Sequence, residues 1–428
     1  MRIIYIHQYF KKITENGSHR SWYLANALSS TGFDVQMITT HNLPPTTEKI
    51  NENFTVHYLN VPYDNDFGFF KRILAFLSFF WKSFFLARKL IKQNQKQNQK
   101  NNKSEKTLIY ATSTPLTVGI MAFLLEKFYK TPYFFEVRDL WPEAPIQMKV
   151  IKNAILIKIL RFFEKKIYQN ASKIITLSPA MQTHVEEVLQ TKTTPNPSKM
   201  LALKSRGTEK TKTTPNPSLK SRGITKEVLM FPNMSDNEFF SHKTGKKVLD
   251  NFSVVYFGTI GKANHLEYLL NIAKFGHENN KKVDFFIVGA GAEKKRLEEI
   301  AYDLPNVLFI KAIPKDLINI FLGEMSAVYV SFLDIPVLES CSPNKFFDAL
   351  AAGKLCITNT KGWLKTLVED NKCGFYASPH NPADFWKQLD VFINDVEMLK
   401  KYECNARHLA ETKFDKNKIC TDFIQVFQ

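Results

Sequence analysis

The amino-acid sequence predicts an α/β protein made of two doubly wound domains, each a parallel sheet with helices on both faces. Three observations carry this expectation. A chain of 428 residues exceeds what one hydrophobic core usually organises, so two domains are expected. Apolar runs of strand length alternate with helical stretches, the pattern of parallel strands buried on both faces. The alternation runs through the first 190 residues, breaks off, and restarts after Lys226.

Ile3 to Ile6 is a first strand, and "ENGSHRSWYLANALSSTGF" is a loop running into a helix with Gly32 past its end. "DVQMITT" then completes a βαβ opening. "TLIYATS" (Thr107 to Ser113) and "YFFEVRD" (Tyr133 to Asp139) are buried strands on either side of the apolar helix "LTVGIMAFLLEKFY", and "KIITLS" (Lys173 to Ser178) follows another helix. In the second half "SVVYFGTIG", "VDFFIVGAG", "NVLFIKAI", "AVYVSFL" and "LCITNT" are strands with helices between them. The expected division is a first domain over 1–190, an insertion over 191–226, a second domain over 227–410, and a closing helix over 411–428 placed to pack back on the first domain.

The insertion holds "TKTTPNPS" twice, at Thr191 and Thr211, each followed by "LKSRG" with "KMLA" interposed in the first. Rich in Pro, Asn, Lys and Thr and poor in aromatics, it has nothing with which to build a core, and two copies cannot stack into a solenoid. It is expected to be solvated, disordered and without a catalytic role.

The net charge of +17 is local. Phe67 to Ser104 holds nine basic residues and no acidic one, and Thr191 to Lys226 holds nine against Glu209 alone. The rest of the chain is balanced, which argues against a nucleic-acid partner, since such proteins spread positive charge over a folded face. All five cysteines (Cys341, Cys356, Cys373, Cys404, Cys420) lie in the C-terminal part with no CxxC pair, which fits a reducing, cytoplasmic setting. "MRIIYIHQYF" is too brief an apolar run for a signal peptide, and no stretch reaches the ~18 uncharged apolar residues that would span a bilayer.

The densest motif is "SPNKFFDALAAGK", Ser342 to Lys354. Ser342 is a good N-cap, Pro343 a good first helical residue, and Gly353 stands where a helix ends, so a short helix over Pro343 to Ala352 is expected. Its N-terminus offers unpaired N–H groups and the positive end of the helix dipole, a ready site for a diphosphate, and Lys345 adds a charge in the first turn. Asp348 lies three residues on, on the same face, where it can accept from a ribose diol. The same spacing also fits a capped helix with a solvated Lys345–Asp348 pair.

"SPNKFFDALAAGKLCI", "VYFGTIGKANHLEYLL", "VGAGAEKKRLEEIA", "FEVRDLWPEAP", "ATSTPLTVG", "LSPAM", "FPNMSDNEFF" and "GWLKTLVEDNKCGFY" resemble, as a set, glycosyltransferase family 4. The likeness runs over essentially the whole chain, and it is nearest to the branch of fucosamine-type transferases of bacterial surface polysaccharide synthesis. It implies the GT-B fold, two Rossmann-like domains facing across a cleft. It also implies transfer, with retention, from a nucleotide diphosphate donor held mainly by the second domain to an acceptor held mainly by the first. Neither a metal nor another cofactor is expected, the nucleotide-sugar being a substrate.

Carried over residue by residue, the resemblance puts Asp348 where the family commonly has a ribose-binding glutamate, and Ser342 to Lys345, Asn344 included, under the diphosphate. The family's partner glutamate is replaced by Ser340, with Glu339 beside it. In "GTIGKANH" Thr259 stands in place of the usual arginine, while Gly258, Lys262 and Asn264 remain as donor-side candidates, with Ile313 after the third strand. In "EVRDLWPE" Arg138 stands where many relatives have histidine, so Arg138, Asp139 and Glu143 are the catalytic, acceptor-side candidates; a strand-end "RD" also fits a structural ion pair. Between the first strand and first helix, Gly17 permits close backbone approach to the donor's distal phosphate, with His19 and Arg20 as additional loop donors.

Two motifs carry less. Gly289 and Gly291 in "GAGAEKKR" lack the third glycine of a dinucleotide fingerprint. "DND" at Asp64 to Asp66 mimics a metal-binding DxD but sits in a loop after Pro62 and Tyr63, where turn chemistry accounts for it.

Phe67 to Lys92 contains eight phenylalanines and Trp81, and Lys71, Lys82, Arg88, Lys89 and Lys92 fall within roughly a third of a helical wheel. Such a helix reads either as a peripheral contact with an anionic membrane surface or as a layer helix packed on the sheet. The expected function is a peripheral transferase on the inner face of the cell membrane, taking a UDP-sugar, N-acetylated or not, to a polyprenyl-diphosphate-linked saccharide in surface polysaccharide (O-antigen, capsule or exopolysaccharide) synthesis. The rivals are a nucleotide-sugar 2-epimerase and a non-catalytic paralogue acting in assembly.

Overall fold

The structure, a computed structural model, describes residues 1–15, 17–63, 67–102, 104–190, 226–240 and 251–428. The "TKTTPNPS" repeat, Asn16 and the Asp64 to Asp66 turn lie outside the described residues. The chain forms two compact units, Met1–Ile13 with Gly17–Pro232 and Cys420–Gln428, and Thr14–Asn16 with Asn233–Ile419.

The first unit runs β1 (Arg2–Ile6), α1 (Arg20–Ser30), β2 (Asp34–His41), β3 (Thr46–Asn51), β4 (Phe54–Asn60), α2 (Phe69–Asn101), β5 (Thr107–Thr112), α3 (Leu116–Tyr129), β6 (Tyr133–Val137), α4 (Glu143–Gln147), α5 (Ala154–Asn170), β7 (Lys173–Thr176), α6 (Pro179–Gln190) and β8 (Glu227–Met230). The strands form one sheet in the order β3-β4-β2-β1-β5-β6-β7-β8. All neighbours are parallel except β3 and β4, a hairpin at the edge. In the centre Ile3 pairs with Val35 on one side and Leu108 on the other.

Two departures from expectation follow from burial. The second domain was placed from residue 227, but β8 pairs Val228 with Ile174 and completes the first sheet, because Val228, Leu229 and Phe231 are apolar and cover the β7 edge. The basic aromatic helix does not end at Lys92; α2 runs on to Asn101, where Asn102 at φ 46 caps it in the left-handed conformation. Ala75, Phe79, Ser83, Ala87, Leu90 and Ile91 form its buried face, packed on α3 and on β1, β2 and β4. α3 in turn packs on α5, with Gly119 at the contact, since a Cβ there would press on Ile167 and Phe135 at 2.8 Å.

The second unit runs β9 (Phe252–Phe257), α7 (Glu267–Glu278), β10 (Val283–Val288), α8 (Lys294–Ile300), β11 (Val307–Ile310), α9 (Lys315–Glu324), β12 (Ala327–Val330), α10 (Asn344–Ala351), β13 (Leu355–Thr358), α11 (Trp363–Asp370), β14 (Gly374–Tyr376), α12 (Pro382–Asn394), α13 (Val396–Lys413) and α14 (Lys416–Gln425). Its sheet is parallel throughout, in the order β11-β10-β9-β12-β13-β14. Along β9 Val254 and Tyr256 enter one core with Phe285, Tyr329 and Trp386, while Val255 and Phe257 enter the other with Val328, Phe347 and Leu350. Both faces are therefore buried, as the continuous apolar strands require. The chain returns to the first unit within α14, at Cys420, and there Phe423 and, just past the helix, Phe427 pack on Tyr110.

Candidate functional site

In the second unit the functional side chains gather where β9, β10 and β12 end, on the side from which α10 starts. Gly258 follows β9 at φ +123, a conformation that favours glycine, and a Cβ there would stand 3.3 Å from Lys345 Nζ. Lys345 reaches this loop from the first turn of α10, its ammonium 3.8 Å from the centroid of the Tyr256 ring. Among the described residues no carboxylate pairs with it. Burial pushes the amine down to about 7, while the ring face favours the charged form. An unpaired ammonium against a glycine backbone at a helix N-terminus is the arrangement that an anion completes.

The helix start differs from expectation in one detail. Pro343 is the N-cap, and Ser342 does not cap with its side chain. The Ser342 hydroxyl accepts from the Asn233 backbone N–H at 3.3 Å, while the Asn233 amide donates to the Ser342 carbonyl at 2.5 Å. Asn233, in the "FPN" segment, thus positions the loop, a role that local sequence did not announce. Asp348 is half-buried on the exposed side of α10, with Phe346, Phe347 and Leu350 filling the core behind it. Thr259 and Lys262 are exposed in the loop after β9, and Asn264 reaches the Ser331 carbonyl at 3.4 Å. Ile313 packs on the rim of the core.

The "GAG" motif has a packing explanation. A Cβ on Gly289 would run into the Gly258 carbonyl, and one on Gly291 into Ile260, so the two glycines let the β10 loop press against the β9 loop. Gly289→Ala is expected to lower the stability of this unit by about 1–3 kcal/mol, the cost of a strained backbone, read as a lower midpoint in chemical unfolding.

Ser340 is buried, its hydroxyl donating to the Val337 carbonyl at 2.6 Å. Glu339 beside it is half-buried with no hydrogen-bond partner among the described residues. Burial raises its carboxyl, opposed by Lys361 and assisted by Asp334.

In the first unit the polar side chains lie at the ends of β1, β5 and β6 and the start of α1. Arg138 donates to Ser18 Oγ at 2.7 Å and Ser21 Oγ at 3.4 Å, with His7 Nε2 at 3.1 Å. Burial first, and the Arg138 charge second, hold the His7 imidazole well below its ordinary value, so it faces the guanidinium as a neutral acceptor. Asp139 is exposed and accepts from Thr114 Oγ1 at 2.6 Å. Ser113 Oγ accepts from the Arg138 backbone N–H at 3.0 Å. Sequence reasoning misses His7, Ser18, Ser113 and Thr114 as site residues; His7 alone carries a signal, a titratable residue directly after an apolar strand.

Three expected residues are held differently. Arg20 is no loop donor: it is 1% exposed and pairs with Glu136 at 2.8 Å. Glu143 is buried on α4 and pairs with Arg161 of α5 at 2.8 Å. His19 is buried at the start of α1 against Tyr23. Gly17 stays in the exposed loop at φ +141, with Lys11 close by. Among the described residues no group of three His, Cys, Asp or Glu side chains is placed to hold a metal ion.

Residues 17–195 match the glycosyl transferase 4-like domain, and residues 236–409 match the glycosyl transferases group 1 family. An uncharacterized glycosyltransferase of Haemophilus influenzae is 25% identical over 164 residues, 38% of this chain and 45% of that protein's length. Among solved structures, sucrose-phosphate synthase of Thermosynechococcus elongatus superposes with a TM-score of 0.70 at 15% identity, over 100% of this chain and 98% of that one. HepE of Anabaena, solved with UDP and glucose, gives 0.62 at 14% identity over 99% and 98%. WaaG, a glycosyltransferase involved in lipopolysaccharide biosynthesis, gives 0.59 at 12% identity over 99% of both chains. The first unit therefore carries a glycosyl transferase 4-like domain and the second a glycosyl transferases group 1 domain, and the fold is that of the GT-B glycosyltransferases.

Proposed function

We propose that the protein is a retaining transferase of the family 4 type that moves a sugar from a UDP-sugar to a polyprenyl-diphosphate-linked saccharide in cell-surface polysaccharide synthesis. The observation that carries the donor half is Lys345, an ammonium that no carboxylate among the described residues pairs, set between the Tyr256 ring and the Gly258 backbone at the start of α10. When the bond to the anomeric carbon breaks, negative charge grows on the departing diphosphate. A cation and helix N–H groups already aimed there stabilise that charge without reorganising. HepE, solved with UDP and glucose, supports the choice of nucleotide, and WaaG, involved in lipopolysaccharide biosynthesis, supports the pathway class.

In this reading Asp348 grips the ribose, Glu339 takes the place that Ser340 cannot fill against the donor sugar, and Arg138 with Asp139 faces the acceptor. The test is calorimetry with UDP, together with UDP release from a panel of UDP-sugars in the presence of lipid-linked acceptors. Asp348→Ala is expected to weaken UDP binding by about 1–3 kcal/mol, the range for losing a charged hydrogen bond. Unchanged UDP affinity in that variant would remove Asp348 from the site.

The buried Ser340 hydroxyl, committed to Val337, favours a second reading, a non-catalytic paralogue serving assembly. UDP binding without UDP release from any donor would select it.

A further inference from the structure

Two helices of the first unit leave apolar side chains exposed to solvent. On α2 they are Phe70, Leu74, Leu77, Trp81 and Phe85, with Phe70 79% and Trp81 56% exposed. At 100° per residue these five fall on one stripe, opposite the buried face of the helix. On α5 they are Ile155, Leu156, Ile159 and Phe162, with Ile155 71% exposed. α3 packs between the two helices, so both stripes belong to one layer over the same face of the sheet, and Phe128 at the end of α3 is exposed as well. Scattered apolar residues need no explanation, but a continuous set of this size marks an interaction surface.

The charges around it specify the partner. α2 has no acidic residue, and Arg88, Lys89, Lys92 and Lys96, with Phe85 and Gln93, line an open hollow of about 420 Å³. On and before α5, Lys149, Lys152 and Lys158 are exposed, while Arg161 and Glu164 are paired internally with Glu143 and His184. The face is thus apolar in the middle and cationic around it. A surface of exposed aromatic and aliphatic residues flanked by lysines seats in a membrane interface without crossing it, with its apolar groups below the headgroups and its cations among them. Among the described residues no helix is long and apolar enough to cross. A second copy of this chain fits poorly, since apposing two such faces would bring cations against cations. At 33 residues α2 is about 50 Å long, suited to lying along a plane.

We propose that α2 and α5 together form a docking face for an anionic phospholipid bilayer. The two stripes seat at the boundary of headgroups and acyl chains, and the hollow of Arg88, Lys89, Lys92 and Lys96 takes lipid phosphates. This deepens the proposed function by naming what brings the enzyme to a lipid-linked acceptor, and it rests on that reading for its purpose.

The experiment is cosedimentation of the full chain with phosphatidylcholine vesicles, with and without phosphatidylglycerol, and UDP calorimetry on the same samples. Wild type should bind only the anionic vesicles, and more weakly as salt rises. Arg88→Gln, Lys89→Gln and Lys92→Gln should each cost about fivefold in vesicle affinity. Trp81→Ser with Phe85→Ser on α2, and Ile155→Ser with Ile159→Ser on α5, should each cost at least about tenfold. UDP affinity should hold in all of them. Equal binding to neutral vesicles overturns the proposal, and so do α5 variants that bind like wild type. Light scattering that shows a dimer dissolved by the stripe variants, with no vesicle binding, overturns it in favour of a subunit interface. Loss of UDP binding in wild type with vesicle binding intact would instead count against the donor-site reading and leave the face standing.

Discussion

Replacing Arg20 by methionine is expected to destabilise the first unit by about 3–5 kcal/mol, the cost of leaving one member of a buried ion pair uncompensated. The Arg20 and Glu136 side chains are both 0% exposed, with Nε and Oε1 2.8 Å apart. Arg20 also donates to the Pro232 carbonyl at 2.6 Å, and Glu136 accepts from Thr112 Oγ1 at 2.7 Å. The pair therefore ties α1 to β5, β6 and the chain leaving β8. Burial alone would raise the Glu136 carboxyl, but Arg20, Arg138 and Thr112 outweigh it and hold the group below its ordinary value. A depressed carboxyl contributes stability at neutral pH that disappears as pH falls through the acid range, so Glu136→Gln should both destabilise and flatten the acid limb. The double variant Arg20→Met, Glu136→Met should recover most of the loss, because matched apolar groups carry no desolvation cost. Chemical unfolding of the four proteins decides it, and single variants within about 1 kcal/mol of wild type would show that the pair is dispensable.

The same pair shows where sequence stops being informative. Arg20 follows "NGSH", a run that reads as a surface loop, and its partner lies 116 residues away, a separation that leaves no local trace. The one legible sign was Glu136 itself, a carboxylate inside the apolar strand "YFFEV", which a buried strand tolerates only beside a cation. The central strands of both sheets were readable because buried parallel strands are apolar on both faces, and α10 was readable because Pro343 and Gly353 punctuate it, whereas the edge strand β14, only Gly374–Tyr376, was too short to announce itself. The β3–β4 hairpin was not, since "TTEKIN" is polar and largely exposed at a sheet edge, without the alternation a half-buried strand shows. Ser342 has every property of an N-cap, but long-range contact with Asn233 claims its hydroxyl first. In each case the missing information is a partner distant in sequence.

Lys345 supplies the prediction with the largest functional effect: affinity for UDP should fall about tenfold per pH unit above about 7, and Lys345→Met should abolish that slope. In the free protein burial holds the amine at about 7, against an ordinary value of 10.5. A bound diphosphate restores the charged form, so binding above pH 7 must take up a proton, and affinity is full below that value and declines as pH rises through it. The second ionisation of a phosphate, near pH about 6, is complete over this window, which leaves the lysine as the changing partner. Stability of the ligand-free protein should move the other way. Its folded pKa is lower than its unfolded one, so the unfolded state binds more protons between about 7 and 10.5, and this group makes unfolding harder as pH rises across that interval. The two opposed slopes in one protein, both absent from Lys345→Met, separate a diphosphate-binding lysine from a merely buried one. Calorimetry in buffers of different ionisation enthalpy reads the proton uptake directly. A UDP affinity that is flat from pH about 7 to 9 in wild type, or equally sloped in the methionine variant, would remove Lys345 from the diphosphate site.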